Sequence, residues 1–554
     1  MEKSSDFVVD TYLLDLPNCY LNRRPRFRAP PLQNVAVARQ HHGTFQYQSL
    51  ETGEKQQEQE QENGANAGGL DRLSALPDII CQHILSFLPA RDARRTAFVS
   101  RRWRYMWYAC ASFTFDEREF HSQPPPLLQW YRSRHNFIRF VDEALEFRKT
   151  YFNDLSIEKF KVSMRFVEEV SPCLEKWIAF ALERNVKELS IVAEMKDLIA
   201  VAEFFHPFRV PYLLPQAVFT AKSIQCLELV FCDLSNVSGS SIQLPFLRNL
   251  DMINVHMNDS IFTSILSGSP LLEKINLSLV CGLEKIHVTG DKLKMLVVFK
   301  CLPLEEVIVK APNVESFLFR GKRHSPDKID ISSCRKLKFL WLQRASNLTD
   351  DSLEKVARLN PNLEIMILSH CSALKNAVIQ SPNLWMFVLF KCKHLSLARI
   401  EAPNLRAFEY SGHMITFSSV VSSPKLDAII HIEGPEICSR WYAKLKDMCA
   451  RFDHCRSLWI RCEHDIDLII PHEMRKPLLP QLQGLTELKI HVRYGRTNLS
   501  QLEDGIRWLF PGLKNLYVES GGSTHHFQYA GAIGDVGPAW RKCRDFIKQE
   551  NDRF

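Results

Sequence analysis

The stretch near residue 455 combines residue types that could bind a metal ion. Cys449, Cys455, Cys462 and His464 lie close together there, and thiolate and imidazole groups are the usual zinc ligands. Their separations of six, seven and two residues match no common zinc-binding pattern. Cys455 and Cys462 also flank a strand-like apolar segment at 458–460. The sequence therefore favours structural thiols, and no metal site is predicted.

The other residues that could take part in catalysis form no catalytic pattern. The 19 histidines are dispersed along the chain, and none completes a nucleophile-and-base arrangement that a sequence can show. The pair Gly521-Gly522 is not followed by the Lys-Ser or Lys-Thr of a phosphate-binding loop. The sequence therefore predicts no catalytic residue, no cofactor, and a chain that is not itself an enzyme.

A proline recurs at a fixed interval in the second half of the chain. Pro361, Pro382, Pro403 and Pro424 stand 21 residues apart, and each is followed by apolar residues spaced in the manner of L-x-x-L-x-L. This spacing and period are typical of leucine-rich repeats, in which each turn of a coil contributes one short strand. The predicted fold class is α/β, a leucine-rich-repeat solenoid (horseshoe). Because such solenoids present long one-sided surfaces, binding is the expected function.

The same pattern extends over residues 166–520, which we predict to be the solenoid. Clear copies begin at Leu247, Leu272, Leu293, Val314, Leu337, Leu363, Leu384 and Leu405. Weaker copies begin at Val186, Ile224, Leu426, Leu485 and Leu513. In four copies a cysteine follows the strand, where these repeats place Asn or Cys to hydrogen-bond the backbone. These cysteines are Cys232, Cys301, Cys371 and Cys392.

The segments that return between strands are predicted from the space available to them. Half-copies of the apolar pattern leave no room for a helix, so strands are expected at 283–288, 304–309, 374–379 and 395–400. Helices are expected where the return is longer and its apolar residues fit a helical period, at 172–184, 258–267 and 350–360.

Composition and charge limit the partners and the compartment. The net charge of +7 over 554 residues is small and scattered, so it gives little support for nucleic-acid binding. No apolar stretch reaches the roughly 18 residues that a membrane helix needs, and no signal peptide is visible after Met1. The 16 cysteines are therefore expected to be reduced thiols. We predict a cytoplasmic or nuclear protein that contacts neither nucleic acid nor membrane.

The two ends of the chain are predicted to differ from its middle. Residues 51–69 are rich in Gln and Glu and poor in apolar side chains, so they cannot bury a core. Residues 1–69 are accordingly predicted to be a disordered tether. Residues 112–165 are predicted to be a helical linker, and residues 521–554 a C-terminal tail with a short helix.

Residues 70–111 carry the pattern of a small three-helix domain. Pro77 suits the start of the first helix, and Pro89 ends it. Asp92 is expected to cap the second helix and Ser100 the third. A segment of this length with many large apolar side chains cannot bury them all alone. Some of them are therefore expected to face a partner.

This segment resembles the F-box. The matching motifs are Leu76-Pro77-Asp78-Ile79-Ile80, the I-L-S-F-L-P run from Ile84, Arg91-Asp92, and the V-S-R-R-W-R run from Val99. An F-box followed by a further helix and a leucine-rich-repeat array is similar to the plant-type F-box/leucine-rich-repeat proteins. The apolar face of that further helix is predicted to be Phe137, Val141, Ala144 and Leu145.

In that family the F-box docks on the Skp-type adaptor of an SCF-type cullin–RING ubiquitin ligase, and the repeats choose the substrate. The resemblance therefore implies a substrate-recognition subunit that reaches a cullin through the adaptor. On this sequence the implied adaptor contacts are Leu76, Pro77, Ile80, Ile84, Leu85, Leu88, Val99 and Trp103. Two alternatives stay open: these residues pack only against the first repeats, or the chain is a leucine-rich-repeat interaction scaffold that recruits no ligase.

The target site is predicted from the residues that alternate with the repeat leucines. The leucines point into the coil, so the residues between them face its concave surface. In the central repeats these residues are apolar, and neighbouring turns stack about 5 Å apart, so they form one continuous band. The predicted substrate-binding residues are Met295, Val297, Phe299, Leu318, Phe339, Trp341, Ile365, Ile367, Met386, Val388 and Phe390.

Something is expected to cover this band. Uncovered, it would exceed the few hundred Å² of contiguous apolar surface that a monomer normally exposes. One candidate is an unknown target protein, with or without a small-molecule co-ligand. The other is a cover by residues 1–69 or 521–554 of the chain itself. Polar residues such as Lys274 and Glu409 bound the band and localise the site.

Overall fold

The computed structural model describes most of the chain between residues 76 and 529. The described ranges are 76–98, 101–120, 127–165, 168–193, 211–321, 326, 328–433, 441–464, 468–478, 482–494, 498–520 and 523–529. The chain divides into two units, residues 1–77 with 535–554, and residues 78–534. Of the first unit only Leu76 and Pro77 are described, so the fold below is that of the second. Within these ranges, no helix combines the length and apolar character needed to cross a bilayer.

A sheet of 17 strands is the main element of the fold. Each strand pairs with the strand of the next turn, and all neighbours are parallel except the last pair, which is antiparallel. With strands numbered in chain order, the sheet contains β1 (Ser112–Asp116), β2 (Lys159–Ser163), β3 (Glu188–Val192), β5 (Cys226–Val230), β7 (Asn249–Ile253), β8 (Lys274–Ser278), β10 (Met295–Phe299), β12 (Ser316–Arg320), β14 (Phe339–Gln343), β15 (Ile365–Ser369), β17 (Met386–Phe390), β19 (Ala407–Gly412), β21 (Asp427–Ile432), β22 (Ser457–His464), β23 (Glu487–Tyr494), β24 (Asn515–Ser520) and β25 (Ser523–Gln528). The predicted leucine-rich-repeat solenoid is confirmed.

Shorter sheets lie on the return side of the coil. Two of them have three parallel strands each, and a third has two. Their strands are β4 (Tyr212–Leu213), β6 (Cys232–Asp233), β9 (Lys285–Thr289), β11 (Glu306–Lys310), β13 (Lys328–Asp330), β16 (Asn376–Gln380), β18 (Leu397–Glu401) and β20 (Thr416–Val421). The four returns predicted as strands therefore are strands, because about ten residues leave room for nothing longer.

Helices occupy the longer returns and the amino-terminal region. They are α1 (Asp78–Leu85), α2 (Ala90–Arg95), α3 (Arg101–Met106), α4 (Leu127–Tyr151), α5 (Ser171–Glu183), α6 (Asp259–Gly268), α7 (Asp350–Leu359), α8 (Trp441–Arg451), α9 (His472–Arg475) and α10 (Leu499–Leu509). The three predicted helical returns are confirmed as α5, α6 and α7. Side-chain caps fix two of their starts: Asn258 accepts from Ile261 N, and Thr349 from Ser352 N.

The repeated Pro-Asn pair ties successive turns together. Asn404 Nδ2 donates to the Pro382 carbonyl at 2.8 Å, and Asn383 Nδ2 donates to the Pro361 carbonyl at 3.1 Å. Each asparagine thus bonds the equivalent loop of the preceding turn. A buried or half-buried loop needs such partners for its carbonyls. This bond gives a physical reason for the strict 21-residue interval.

The main sheet extends beyond the predicted ends of the solenoid. Strands β1 and β2 lie within 112–165, the predicted helical linker, and β25 lies within the predicted tail. Strand β25 folds back onto β24, which pairs an edge that would otherwise expose a row of backbone groups. The linker also contains the predicted helix α4, whose Phe137, Val141, Ala144 and Leu145 are buried. The predicted tether and the short helix of the tail fall outside the described residues.

The amino-terminal segment forms the expected three helices, with one difference at α2. Pro89, in an extended conformation, occupies the N-cap position, so α2 begins two residues before Asp92. The predicted cap at Asp92 is therefore wrong. Its carboxylate pairs with Arg95 at 3.2 Å inside the helix instead. Ser100, the predicted cap of α3, lies outside the described residues.

Candidate functional site

Five large apolar side chains of the three-helix segment are exposed. The exposed fraction is 92% for Phe98, 74% for Phe87, 73% for Ile79, 43% for Ile80 and 37% for Leu88. We call these five residues the box surface. Large exposed apolar residues concentrated within about 20 positions differ from the scattered single ones that are normal on a protein surface.

The structure separates the predicted adaptor contacts into two groups. Ile80 and Leu88 belong to the box surface, Pro77 is exposed, and Leu76 and Ile84 are half-buried. Leu85 and Trp103, in contrast, are 1% and 3% exposed. These two support the helices from inside, and in this arrangement neither is available to a partner, which corrects the assignment of direct contacts to them. Val99 lies outside the described residues.

Sequence reasoning missed three members of the box surface as contacts, namely Ile79, Phe87 and Phe98. Helical spacing identifies one apolar face of α1, but it does not say which apolar residues the neighbouring helices cover. Here Cys81 and Leu85 of α1 are buried. The remaining apolar residues of α1 and of the turn after it are therefore left at the surface.

Buried Arg148 joins the box helices to the solenoid. Its guanidinium lies on α4 and donates to the Tyr108 and Cys110 carbonyls after α3, the latter at 3.1 Å. It also donates to the Leu155 and Ser156 carbonyls before β2, both at 3.2 Å. Burial lowers the pKa of Arg148 to about 10. One cation thus satisfies four carbonyls from two segments, which fixes how the box helices meet the sheet.

A second buried charge fixes the same junction. Glu117 is fully buried after β1, and its Oε1 pairs with Arg134 Nε of α4 at 3.0 Å. Its Oε2 accepts from the Arg165 backbone N–H at 2.8 Å, just after β2. The carboxylate therefore connects β1, α4 and β2.

The structure brings the eleven predicted band residues together in three rows. The strand register places residues of β10, β12, β14, β15 and β17 directly beside one another. The first row contains Met295, Phe339, Ile365 and Met386. The second row contains Val297, Leu318, Trp341, Ile367 and Val388, and the third contains Phe299 and Phe390.

These side chains do not form an open surface. Nine of the eleven are buried, with Phe339 and Trp341 at most 1% exposed, while Phe299 and Met386 are half-buried. Strands at the start of the array alternate buried with less buried positions, whereas β12, β14 and β15 are buried throughout. A target can therefore contact the band only after it is uncovered. Binding of a target by these eleven residues stays a prediction.

The third row of the band is interrupted by polar residues. Arg320, Gln343 and Ser369 stand between Phe299 and Phe390 in the strand register. Gln343 is fully buried, and neither its amide oxygen nor its amide nitrogen has a hydrogen-bond partner. The pattern L-x-x-L-x-L does not reveal this row, because its last position lies beyond the final leucine.

A row of left-handed residues follows the strands at the carboxyl-terminal edge of the main sheet. Lys300, Arg344, His370 and Lys391 have φ angles between 50° and 56°. Each donates its backbone N–H to a carbonyl of the next turn, at 2.7 to 2.8 Å. Gly321 takes the same place between Lys300 and Arg344, and a Cβ there would come within 2.8 Å of the Arg344 carbonyl oxygen. We call these five residues the edge row.

Polar groups border the band towards the carboxyl terminus, as predicted from Glu409. Burial raises the pKa of Glu409, and nearby Arg461 opposes that rise. His431 of the next strand faces cations: burial lowers its pKa to about 4, with Arg461 and Lys391 adding to the effect. Glu463 opposes this shift weakly. The Nδ1 atom of His431 lies 3.3 Å from the Ser411 hydroxyl.

Stability is expected to fall on mild acidification because of His431. Its folded-state pKa lies below the usual value near 6.5, so between about pH 6.5 and pH 4 the unfolded chain takes up a proton that the folded chain refuses. We expect a loss of about 1 kcal/mol between pH 7 and pH 5, allowing for partial exposure. Urea denaturation of His431→Asn should show a smaller loss, whereas exposed His394→Asn should match the unsubstituted chain. Equal pH sensitivity of both variants would contradict the assignment.

The four predicted repeat cysteines bond the backbone, which confirms their role. Cys301 Sγ lies 3.4 Å from the Leu277 carbonyl of the preceding turn, and Cys371 Sγ lies 3.7 Å from that of Leu342. Cys232 and Cys392 make equivalent contacts with carbonyl groups. Burial raises the pKa of Cys301 to about 12. These thiols therefore hold the chain as it leaves each strand.

The cysteines near residue 455 occupy separate places. Cys449 lies on α8, Cys455 in the turn after it, and Cys462 on β22, and all three are buried free thiols. His464 ends β22. Burial raises the pKa of Cys449 to about 12. Within the described ranges, no three His, Cys, Asp or Glu side chains are grouped so that they could hold a metal ion.

Comparisons with known proteins match both regions. An F-box-like family model matches residues 73–110. A family model described as "FBD-associated F-box protein At5g56370, LRR repeats" matches residues 174–342. The resemblance to the plant-type F-box/leucine-rich-repeat family is confirmed. The F-box-like match contains all five residues of the box surface, and the leucine-rich-repeat match runs from α5 to the penultimate residue of β14.

Curated relatives from Arabidopsis thaliana have the same combination of domains in their names. The putative F-box/LRR-repeat protein At3g18150 is 26% identical over 313 residues, which cover 55% of this chain and 58% of the relative. The F-box/LRR-repeat protein At5g02910 is 31% identical over 39% of this chain and 40% of its own length. The F-box protein At3g59000 is 26% identical over 56% and 61%. The chain thus spans about half the length of the relatives that it matches.

Proposed function

We propose that this chain is the substrate-recognition subunit of an SCF-type cullin–RING ubiquitin ligase. The F-box helices would dock on a Skp-type adaptor, and through it on a cullin, while the repeats bind a target protein. The observation that carries this proposal is the box surface, which presents five large apolar side chains to solvent on one small domain. Apolar anchors at helical spacing are what binding between a helix and a groove requires.

The chain's own contribution to ubiquitin transfer would be proximity. Holding a target at a fixed position turns an encounter between separate molecules into a reaction within one complex. The other subunits would carry out the covalent step, so no catalytic residue is assigned here. Arg148 and Glu117 support this role because their buried contacts fix the F-box helices relative to the first strands.

The F-box proposal is tested by adaptor binding. We expect the double substitution Ile80→Asp with Phe87→Asp to weaken co-purification with a purified Skp-type adaptor by about 30-fold or more, which corresponds to about 2 kcal/mol. The reason is that two charges would have to be buried in an apolar interface. The full-length chain and the adaptor are mixed, and Kd is measured by calorimetry.

A matched control comes from the solenoid. Phe246 is 53% exposed outside the F-box, so Phe246→Asp introduces the same charge at an equally exposed phenylalanine and should leave adaptor binding unchanged. Equal adaptor affinity of the double variant and the unsubstituted chain would refute ligase recruitment through the box surface. The leucine-rich-repeat interaction scaffold would then be the better description.

A further inference from the structure

The polar interruption of the band is unusual because its central group is buried without a partner. Gln343 is fully buried, yet both its Oε1 and its Nε2 have no hydrogen-bond partner. The neighbouring indole of Trp341, two residues earlier on β14, likewise has a buried Nε1–H without one. A buried polar group without a partner destabilises the folded state, and nearly all such groups in native proteins are bonded. Unbonded donors and an acceptor on one strand point to a ligand.

The charges next to Gln343 indicate one sign for that ligand. Arg344 follows Gln343 directly in the edge row and is half-buried, and in the part of the chain that the structure describes it has no acidic partner. Lys300, His370 and Lys391 hold the equivalent positions of nearby turns. Of these, Lys391 pairs with Glu433 at 3.7 Å. The edge row therefore offers positive charge, of which Arg344 is the member nearest to the unpaired amide in sequence.

The ligand that fits combines three properties. A primary amide offers a donor and an acceptor side by side, which is the complement of the N–H and C=O of a peptide backbone. The rows around it are apolar and call for apolar side chains. The guanidinium of Arg344 calls for a carboxylate, which it can bind bidentately.

We propose that Gln343 and Arg344 determine specificity for an extended apolar segment of the target that carries an acidic residue. Gln343 pairs with the backbone of that segment, and Arg344 pairs with its carboxylate. This inference rests on the proposed function only in naming the ligand a target. The peptide preference itself can be measured without any ligase component.

The experiment uses the full-length chain and a displayed library of random twelve-residue peptides. We expect enrichment of peptides that combine several apolar residues with Asp or Glu. Arg344→Glu should remove the preference for acidic residues and replace it with one for Lys or Arg. Gln343→Met should lower recovery of the enriched peptides at least tenfold while raising the Tm, because it removes the unpaired amide.

Matched controls and adaptor binding make the outcomes distinct. Arg335→Glu changes an exposed arginine outside the edge row, and Gln380→Met an exposed glutamine of β16, so neither should alter the peptide preference. Enriched peptides without acidic residues, or a preference unaffected by Arg344→Glu, would overturn the proposal. Absence of any enrichment would also overturn it and leave the band to a small molecule or to the chain's own residues. Adaptor affinity of all four variants should stay unchanged, and its loss would count against the box surface rather than against this site.

Discussion

Replacing Arg148 with methionine is expected to destabilise the protein by about 3–5 kcal/mol. Methionine fills a similar volume, but it cannot donate to the Tyr108, Cys110, Leu155 and Ser156 carbonyls that the guanidinium satisfies. Those carbonyls would remain buried without their partner. The free energy of unfolding is measured by urea denaturation of the full-length chain.

The effect of Arg148→Met should be local as well as large. Hydrogen exchange is expected to accelerate first in α1 to α3 and β1, because Arg148 holds their connection to the sheet. Arg248→Met is the control: Arg248 is more than half exposed and pairs with Glu273 at the surface, and surface ion pairs contribute little. If the two variants lost similar stability, the assigned role of Arg148 would be wrong.

Removing the Glu117 carboxylate alone is expected to cost about 3–5 kcal/mol. The substitution Glu117→Leu leaves the guanidinium of Arg134 buried without its counter-charge and the Arg165 N–H without its acceptor. Arg134→Met should be similarly harmful, because it strands the carboxylate. Urea denaturation of both single variants gives the two free energies.

The double variant distinguishes a charge effect from a loss of packing. Glu117→Leu with Arg134→Met removes both charges, so we expect it to be more stable than the sum of the singles predicts, by about 2 kcal/mol or more. The exposed pair Arg399 and Glu401, at 2.5 Å, should show a coupling below about 1 kcal/mol in the same cycle. Additive effects at Glu117 and Arg134 would show that packing, rather than the ion pair, fixes this junction.

Much of the solenoid could be predicted because each repeat restates the same pattern. The spacing of leucines fixed which residues point inward, and the room between them distinguished strand returns such as β9 from helical returns such as α7. The first two strands were missed, although Phe113 and Phe115 alternate with polar residues and so do Phe160 and Val162. Single short alternations carry little weight when no neighbouring repeat supports them.

The candidate sites were less predictable because they depend on burial. Periodicity placed Trp341 and Phe339 correctly on the outer face of their strand, but it could not show that both are covered. Trp341→Ala is therefore no clean test of target binding, since it would remove a large buried side chain and cost about 3–5 kcal/mol. Likewise, the F-box resemblance assigned partner contacts to Leu85 and Trp103, whose side chains the neighbouring helices bury.

The edge row shows how recognition could diverge without damage to the coil. A left-handed φ costs roughly 1 kcal/mol for an ordinary residue, and here one backbone bond per turn offsets it whatever the side chain is. Aromatic Phe231, aliphatic Leu279 and basic Lys300 all adopt the same conformation at this place. Ligand preference can thus be rewritten turn by turn, and the hydrogen-bonding of the coil remains as it was.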